Sequence, residues 1–240
     1  MSEFQYRRVL LKLSGEALQG DQRFGVSEDM LGQVADQLAQ VQRAGIQLGL
    51  VVGGGNFFRG VAGAARGMDR VHADRIGMLA TCMNALTLRE ALVDRDVPCE
   101  VLSAIPLGTF ARLYDRDDAV RLLEGGTVTI FAAGTGSPYF STDTAASLRA
   151  VEIGADALLK ATKVDGVYDR DPAVHDDATR LESLTYRQVV EQQLRVMDLT
   201  AVTLCRDAGL TIRVFDLLAT GSIMGVLRGE PLGSTIEGSQ

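Results

Sequence analysis

Short runs of branched apolar residues recur at 8–13, 46–52, 99–103, 128–132, 157–161 and 212–215, and several stop abruptly at a glycine or polar turn. They lack the strict alternation of a half-exposed sheet, so they read as strands buried on both faces. Between them lie stretches with apolar residues at helical spacing. The clearest covers 27–44, with Leu31, Val34, Leu38 and Val41 on one face, Ser27 as N-cap and Gly45 as stop. A longer one covers 71–94, where Ile76, Leu79, Met83, Leu86 and Leu92 mark the apolar face. Met78, Met83 and Leu88 extend beyond a single stripe and read as an oligomer contact. Helices at 117–124, 144–153, 186–192 and 197–208, with short strands at 181–184 and 233–236, complete the alternation. Strand alternating with helix predicts an α/β protein whose mainly parallel sheet is covered on both faces, with right-handed crossovers. No linker divides the pattern, so one domain over residues 1–240 is expected.

In open α/β sheets ligands sit at the carboxyl edge of the strands, which gives weight to the residues where each run ends. The 46–52 run stops at Gly53, Gly54 and Gly55, followed by Asn56 and Arg59. Glycines keep side chains off the backbone, successive N–H groups in such a turn cradle an anion, and the Arg59 fork suits phosphate oxygens. Lys12 sits one residue before the end of the first strand, just ahead of Ser14 and Gly15, a costly place for a cation that meets no anion. A right-handed strand–helix–strand unit carries Lys12 and the three glycines to one edge. Lys160 occupies the equivalent place in the 157–161 run. The 128–132 strand closes on Gly134-Thr135-Gly136-Ser137-Pro138, after which Tyr139-Phe140-Ser141-Thr142-Asp143 leads into a helix. Hydroxyls and an aspartate there read either as helix caps or as a phosphate site at a helix N-terminus. Asp74, in the first turn of the 71–94 helix, reads as a carboxylate favoured by the helix dipole.

Composition narrows the chemistry. The chain has 240 residues, 46% of them hydrophobic, enough for a sizeable core, and a net charge of −7 that argues against general nucleic-acid binding. Any anion site must therefore be local. Cys82, Cys99 and Cys205 show no C-x-x-C spacing, which points to buried thiols rather than a disulfide framework or zinc site. No apolar stretch is expected to span a membrane and the start lacks a signal-peptide core, so a cytoplasmic location is the expectation. With His72 and His175 as the only histidines, a histidine-based triad is disfavoured. Neither the P-loop pattern nor the protein-kinase signatures occur. What remains is a set of cations (Lys12, Arg59, Lys160) and glycine turns at one edge, facing Asp143. Phosphoryl transfer, which needs in-line positioning and charge neutralisation rather than covalent chemistry, fits that inventory better than acyl or hydride transfer.

The segments LLKLSGEAL, VVGGGNFFRG, GMLATCMNAL, AGTGSPYFSTD, LKATKVDGVYDRDP and VMDLTAVTL closely resemble the bacterial uridylate kinases of the amino acid kinase superfamily, in order and over nearly the whole chain. The resemblance implies a three-layer α/β/α sandwich, transfer of the γ-phosphate of ATP to UMP with Mg2+ carried mainly on the nucleotide phosphates, UTP as feedback inhibitor, and a homohexamer built as a trimer of dimers. It implies that Lys12, Leu13, Ser14, Gly15, Gly55 and Arg59 hold the ATP phosphates, with Thr162, Tyr168 and Asp171 on the adenosine side. It implies that Gly54, Asp74, Thr135, Gly136, Ser137, Pro138, Tyr139, Phe140, Ser141 and Thr142 surround UMP, Asp74 through the ribose hydroxyls. Asp143 resembles the aspartate that orders the lysines and magnesium; Lys160 joins the catalytic set (Lys12, Arg59, Asp143, Lys160) on chemical grounds. The second pKa of a nucleoside monophosphate lies near ~6, so its attacking oxygen is already ionised and no general base is required. Two alternatives stand beside this: a non-catalytic nucleotide or oxyanion binder on the same fold, and a relative that phosphorylates a carboxylate or carbamate.

Overall fold

The structure is a computed structural model that describes residues 3–58, 67–194, 196–219 and 221–238. Its strands are β1 (Arg8–Leu13), β2 (Gln47–Val52), β3 (Cys99–Ser103), β4 (Arg112–Leu113), β5 (Val128–Ala132), β6 (Ala157–Thr162), β7 (Val167–Tyr168), β8 (Arg180–Leu181), β9 (Ser183–Thr185), β10 (Thr211–Asp216) and β11 (Ser234–Glu237). The α-helices are α1 (Glu28–Arg43), α2 (Arg70–Val93), α3 (Arg116–Glu124), α4 (Thr142–Glu152), α5 (Tyr186–Glu191), α6 (Leu199–Asp207) and α7 (Ser222–Leu227). Nine strands form one sheet in the order β4-β3-β5-β2-β1-β6-β10-β11-β9, parallel throughout except for the antiparallel pair β10–β11. β7 and β8 make a separate antiparallel ribbon.

The sheet is central because its strands are apolar on both sides. Val9, Leu11 and Leu13 of β1 and Leu48 and Leu50 of β2 pack with α1, α2 and α7, while Leu10, Val51 and Leu158 pack with α3, α4, α5 and α6. Each fully buried leucine of this kind contributes about 1.5–3 kcal/mol. The result is the α/β/α sandwich expected from the sequence. The period of two also fixes where the lysines go. Lys12 shares its side of β1 with Leu10, and Lys160 shares its side of β6 with Leu158, so both face the α4 layer. They are register partners on adjacent strands.

Several expectations are corrected. The stripe Ile76, Leu79 and Met83 points outward, 39%, 49% and 50% exposed, whereas Met78 and Leu88 are buried. The buried face of α2 mixes small and polar residues (Ala73, Ala80, Thr81, Asn84 and Ala85) with the larger Met78, Leu88 and Leu92. Asp74 lies beyond the first turn of α2, which starts at Arg70 and is capped by Asp69, whose carboxylate accepts from the His72 N–H. α2 is also long and apolar enough to cross a membrane, against expectation, but Leu88 and Leu92 are fully buried in the core beside the polar Asn84. β4, β7 and α7 escape the sequence reading because two-residue strands and a six-residue helix show no period.

Candidate active site

β1 ends at Leu13, and residues 15–17 then form a 3-10 turn, while β2 ends at Val52 and runs into the glycine turn. The two turns are in direct contact. A Cβ on Gly15 would lie 2.4 Å from Asn56 Oδ1 and 2.5 Å from the Gly53 carbonyl oxygen, so no other residue fits. Gly54 is as tightly set against α2, where a Cβ would come within 2.9 Å of the Gly77 carbonyl and 2.8 Å of Ala80 Cβ. Glycine is thus required here by close approach of backbones.

At the centre, the Asp143 carboxylate bridges the two lysines, Oδ1 2.9 Å from Lys12 Nζ and Oδ2 2.7 Å from Lys160 Nζ, with side chains only 16%, 10% and 13% exposed respectively. Lys160 Nζ also donates to the Val196 carbonyl. Burial pushes the Asp143 carboxyl up, but Lys12 and Lys160 together overcome this and hold it below the usual carboxylate range. Lys160 is pushed down by its burial and by Lys12, against the opposing pull of Asp143. Three charged groups therefore carry one net positive charge in a nearly dry place, at the carboxyl edge of β1 and β6.

The α4 N-terminus is anchored from two sides. Ser141 is its N-cap, accepting from the Thr144 N–H at 3.0 Å, so Asp143 is a member of the first turn rather than the cap. Asp198, itself the N-cap of α6, accepts from the hydroxyls of Ser141 and Thr144.

Two clefts lie near this centre, and Lys160 lines the larger. One, of about 140 Å³, is lined by Gly54, Phe58, Asp74, Thr81, Ser137 and Thr142 among others, with Gly134, Thr135, Phe140 and Ser141 completing its α4 side. In it Asp74 receives Arg70 Nε at 2.8 Å and the Tyr139 N–H at 2.8 Å. Gly136, Pro138 and Tyr139 belong to the same loop but do not line the cleft; Tyr139 is exposed and lies in the left-handed region at φ 71°. The second cleft, about 650 Å³, is lined by Lys160, Thr162, Tyr168, Asp171, His175 and Val196 among others. Asp143 follows Thr142 of the small cleft and pairs with Lys160 of the large one, so it links a lining residue of each.

Of the residues singled out from sequence, Lys12, Asp143 and Lys160 converge, and Ser14, Gly15 and Gly55 lie in the adjoining turns. Leu13 is fully buried in the core and offers only its backbone. Arg59 lies outside the described residues. Sequence reasoning missed Phe58, Met78, Thr81, Asn84, Val196 and Asp198; the one signal available was the polar pair Thr81 and Asn84 inside an otherwise apolar helix. The thiols offer no competing nucleophile: burial pushes Cys99 up to about 12 and Cys205 up to about 11, and Cys82 is raised as well.

Comparison with known proteins places these features in context. The amino acid kinase family model matches residues 7–216. The chain is 51% identical over 238 residues to a protein of Xanthomonas oryzae pv. oryzae named uridylate kinase, covering 99% of each. Among solved structures, UMP kinase from Bacillus anthracis superposes with a TM-score of 0.94 at 38% identity, covering 97% of this chain and 96% of that one. UMP kinase from Ureaplasma parvum superposes with a TM-score of 0.91 at 33% identity, covering 98% and 100%.

Proposed function

Since the chain belongs to the amino acid kinase family, we propose that it is a nucleoside monophosphate kinase transferring the γ-phosphoryl group of ATP to UMP, giving ADP and UDP. The observation that carries this reading is the buried Lys12–Asp143–Lys160 bridge that links a large cleft to a small one. We take residues 1–240 as one kinase domain working in the cytoplasm.

The larger cleft takes ATP, with Thr162, Tyr168 and Asp171 on the adenosine side. Lys12, the backbone of Leu13, Ser14 and Gly15, then Gly55 and Arg59 meet its phosphates. The smaller cleft takes UMP, with Gly54, Asp74 and the residues Thr135, Gly136, Ser137, Pro138, Tyr139, Phe140, Ser141 and Thr142 around it. The transferred group, a phosphoryl carrying negative charge on its equatorial oxygens, passes beside Lys12 and Lys160, which stabilise that charge as the bond to ADP loosens. Asp143 takes no proton. It holds the two ammonium groups on adjacent strands against their mutual repulsion. The UMP phosphate supplies an ionised nucleophile at neutral pH. Both oxygens of Asp143 already face lysines, so Mg2+ would be held by the ATP phosphates rather than by these residues, and would supply further neutralisation of phosphate charge. UTP is assigned as feedback inhibitor, and the outward stripe Ile76, Leu79 and Met83 as subunit contact in a homohexamer, a trimer of dimers.

A coupled assay of ADP release across UMP, CMP, dTMP, acetylglutamate and carbamate tests the reading. UMP is expected to be used far better than the rest. Release with none of them would return the chain to a non-catalytic binder, and preference for acetylglutamate or carbamate to a carboxylate or carbamate kinase.

Asp74 gives a second expectation. A buried acceptor that loses its donor costs about 1–3 kcal/mol, so a site reading the ribose 2′-hydroxyl should prefer UMP to dUMP by roughly tenfold or more. Asp74→Ala should narrow that gap. Equal use of UMP and dUMP by the intact enzyme removes Asp74 from the ribose.

A further inference from the structure

α2 carries two polar side chains on its buried face, one turn apart, and each ends on a different nucleotide turn. Asn84 is fully buried and its Nδ2 donates to the Gly53 carbonyl at 2.7 Å and to Asn56 Oδ1 at 2.7 Å, while its Oδ1 accepts from Asn56 Nδ2 at 3.0 Å. Asn56 Nδ2 donates onward to the Gly25 carbonyl at 2.9 Å, and the Gly25 N–H donates to the Asn56 carbonyl. The glycine turn after β2 therefore hangs on a reciprocal amide pair rooted in α2. A Cβ on Gly15 would strike the same Asn56 oxygen, so the turn after β1 rests on this pair too.

Thr81 does the corresponding job for the other turn. Its hydroxyl donates to the Met78 carbonyl at 2.7 Å and accepts from the Ala133 N–H at 2.9 Å. Ala133 lies at φ 63°, a left-handed conformation that alanine seldom adopts, and it begins the loop leading to Thr135. Thr81 borders the small cleft, yet its hydroxyl is engaged at both ends by protein, so its leverage on a ligand runs through Ala133.

We propose that Thr81 and Asn84 are positioning residues with different reach, Asn84 setting the turn at 53–56, which carries Gly55 to the donor phosphates and Gly54 to the acceptor cleft, and Thr81 setting the acceptor turn at 133–135 alone. This rests on the assignment of the two clefts to ATP and UMP. The difference in reach makes a prediction that general loosening of α2 does not. Thr81→Val keeps the shape and removes the hydroxyl, leaving the Ala133 N–H unpaired. It should raise KM for UMP by about tenfold while leaving KM for ATP within about twofold. Thr81→Ser restores the hydroxyl and should behave as the native protein. Asn84→Ala should depress kcat and raise KM for ATP, each by about tenfold, and raise KM for UMP by less, because Gly54 of the same turn lines the acceptor cleft. Should Asn84→Ala fail to fold, Asn84→Ser is the replacement.

Hydrogen exchange on the same variants, without nucleotide, supplies a readout independent of activity. Thr81→Val should lose protection in the 130–136 segment, and Asn84→Ala in the 50–58 segment. Both variants raising both KM values alike, Thr81→Ser as impaired as Thr81→Val, or protection lost equally from both segments would overturn the proposal. A native protein inactive on UMP would instead overturn the assigned function, and the exchange pattern would still decide the positioning roles.

Discussion

Asp143→Asn should lose turnover by about a thousandfold, the upper end of what one electrostatic contact in an active site contributes. The amide keeps the volume and the place in the first turn of α4, but not the charge. Lys12 and Lys160 are then left on neighbouring strands, about 4.8 Å apart at the backbone, with no anion between them. Breaking a buried pair by removing one partner costs about 3–5 kcal/mol, and the open cleft beside this bridge brings the expected cost toward the lower end. In a chain of this size that is a fall in Tm of roughly 6–12 °C. Lys160, already pushed down by burial, loses the main group that pulls it back up, keeping only the weaker pull of Asp198, and sheds charge more readily. Steady-state kinetics with thermal unfolding of purified variant and native protein checks both parts. Turnover within tenfold of native would show that Asp143 is no more than part of a helix terminus.

The same carboxylate sets an acid limit on stability. Its folded pKa is depressed, so its contribution is fully present above the unfolded carboxylate value of about 3.9 and is lost as the pH falls through the lower folded value. Urea unfolding between about pH 2.5 and 6 should show the native protein losing stability over that window. Asp143→Asn, having nothing to titrate there, should show a shallower loss.

The strands and the edge where the site lies were legible because a strand buried on both faces must be a continuous apolar run. A lysine inside such a run, as at Lys12 and Lys160, is then conspicuous. That the two lysines are register partners sharing one aspartate was not legible, since register depends on long-range pairing that no local pattern encodes. Asp143 itself stood among hydroxyls that do cap the helix, and composition alone does not separate a capping group from its neighbour two residues on. α2 was misread for a different reason. Periodicity locates the most apolar face, and in this helix its Ile76, Leu79 and Met83 are turned outward while Leu86 and Leu92 reach the core. Where α2 meets the two turns its inward face is small because Gly54 brings backbone against Gly77 and Ala80, and polar because Thr81 and Asn84 satisfy the buried groups of those turns. A polar residue in a helix reads as exposed unless the partner it binds is known.

Lys12→Met should separate catalysis from folding. Methionine preserves the apolar stem that β1 buries and removes only the ammonium group. Asp143 remains paired with Lys160 at 2.7 Å, so the site passes from two cations and one anion to one of each. The repulsion between the lysines disappears with the charge, and Tm should be unchanged or slightly higher. Turnover should nevertheless fall by about a hundredfold or more, because charge growing on the transferred phosphoryl loses a preorganised cation. KM for UMP should move little, since the acceptor cleft is lined from α2 and the 134–142 loop rather than by Lys12. Kinetics at saturating ATP, read beside a melting curve, checks the pair of expectations. A variant that melts well below the native protein, with kcat retained, would make Lys12 a structural partner of Asp143 and leave the developing charge to other groups.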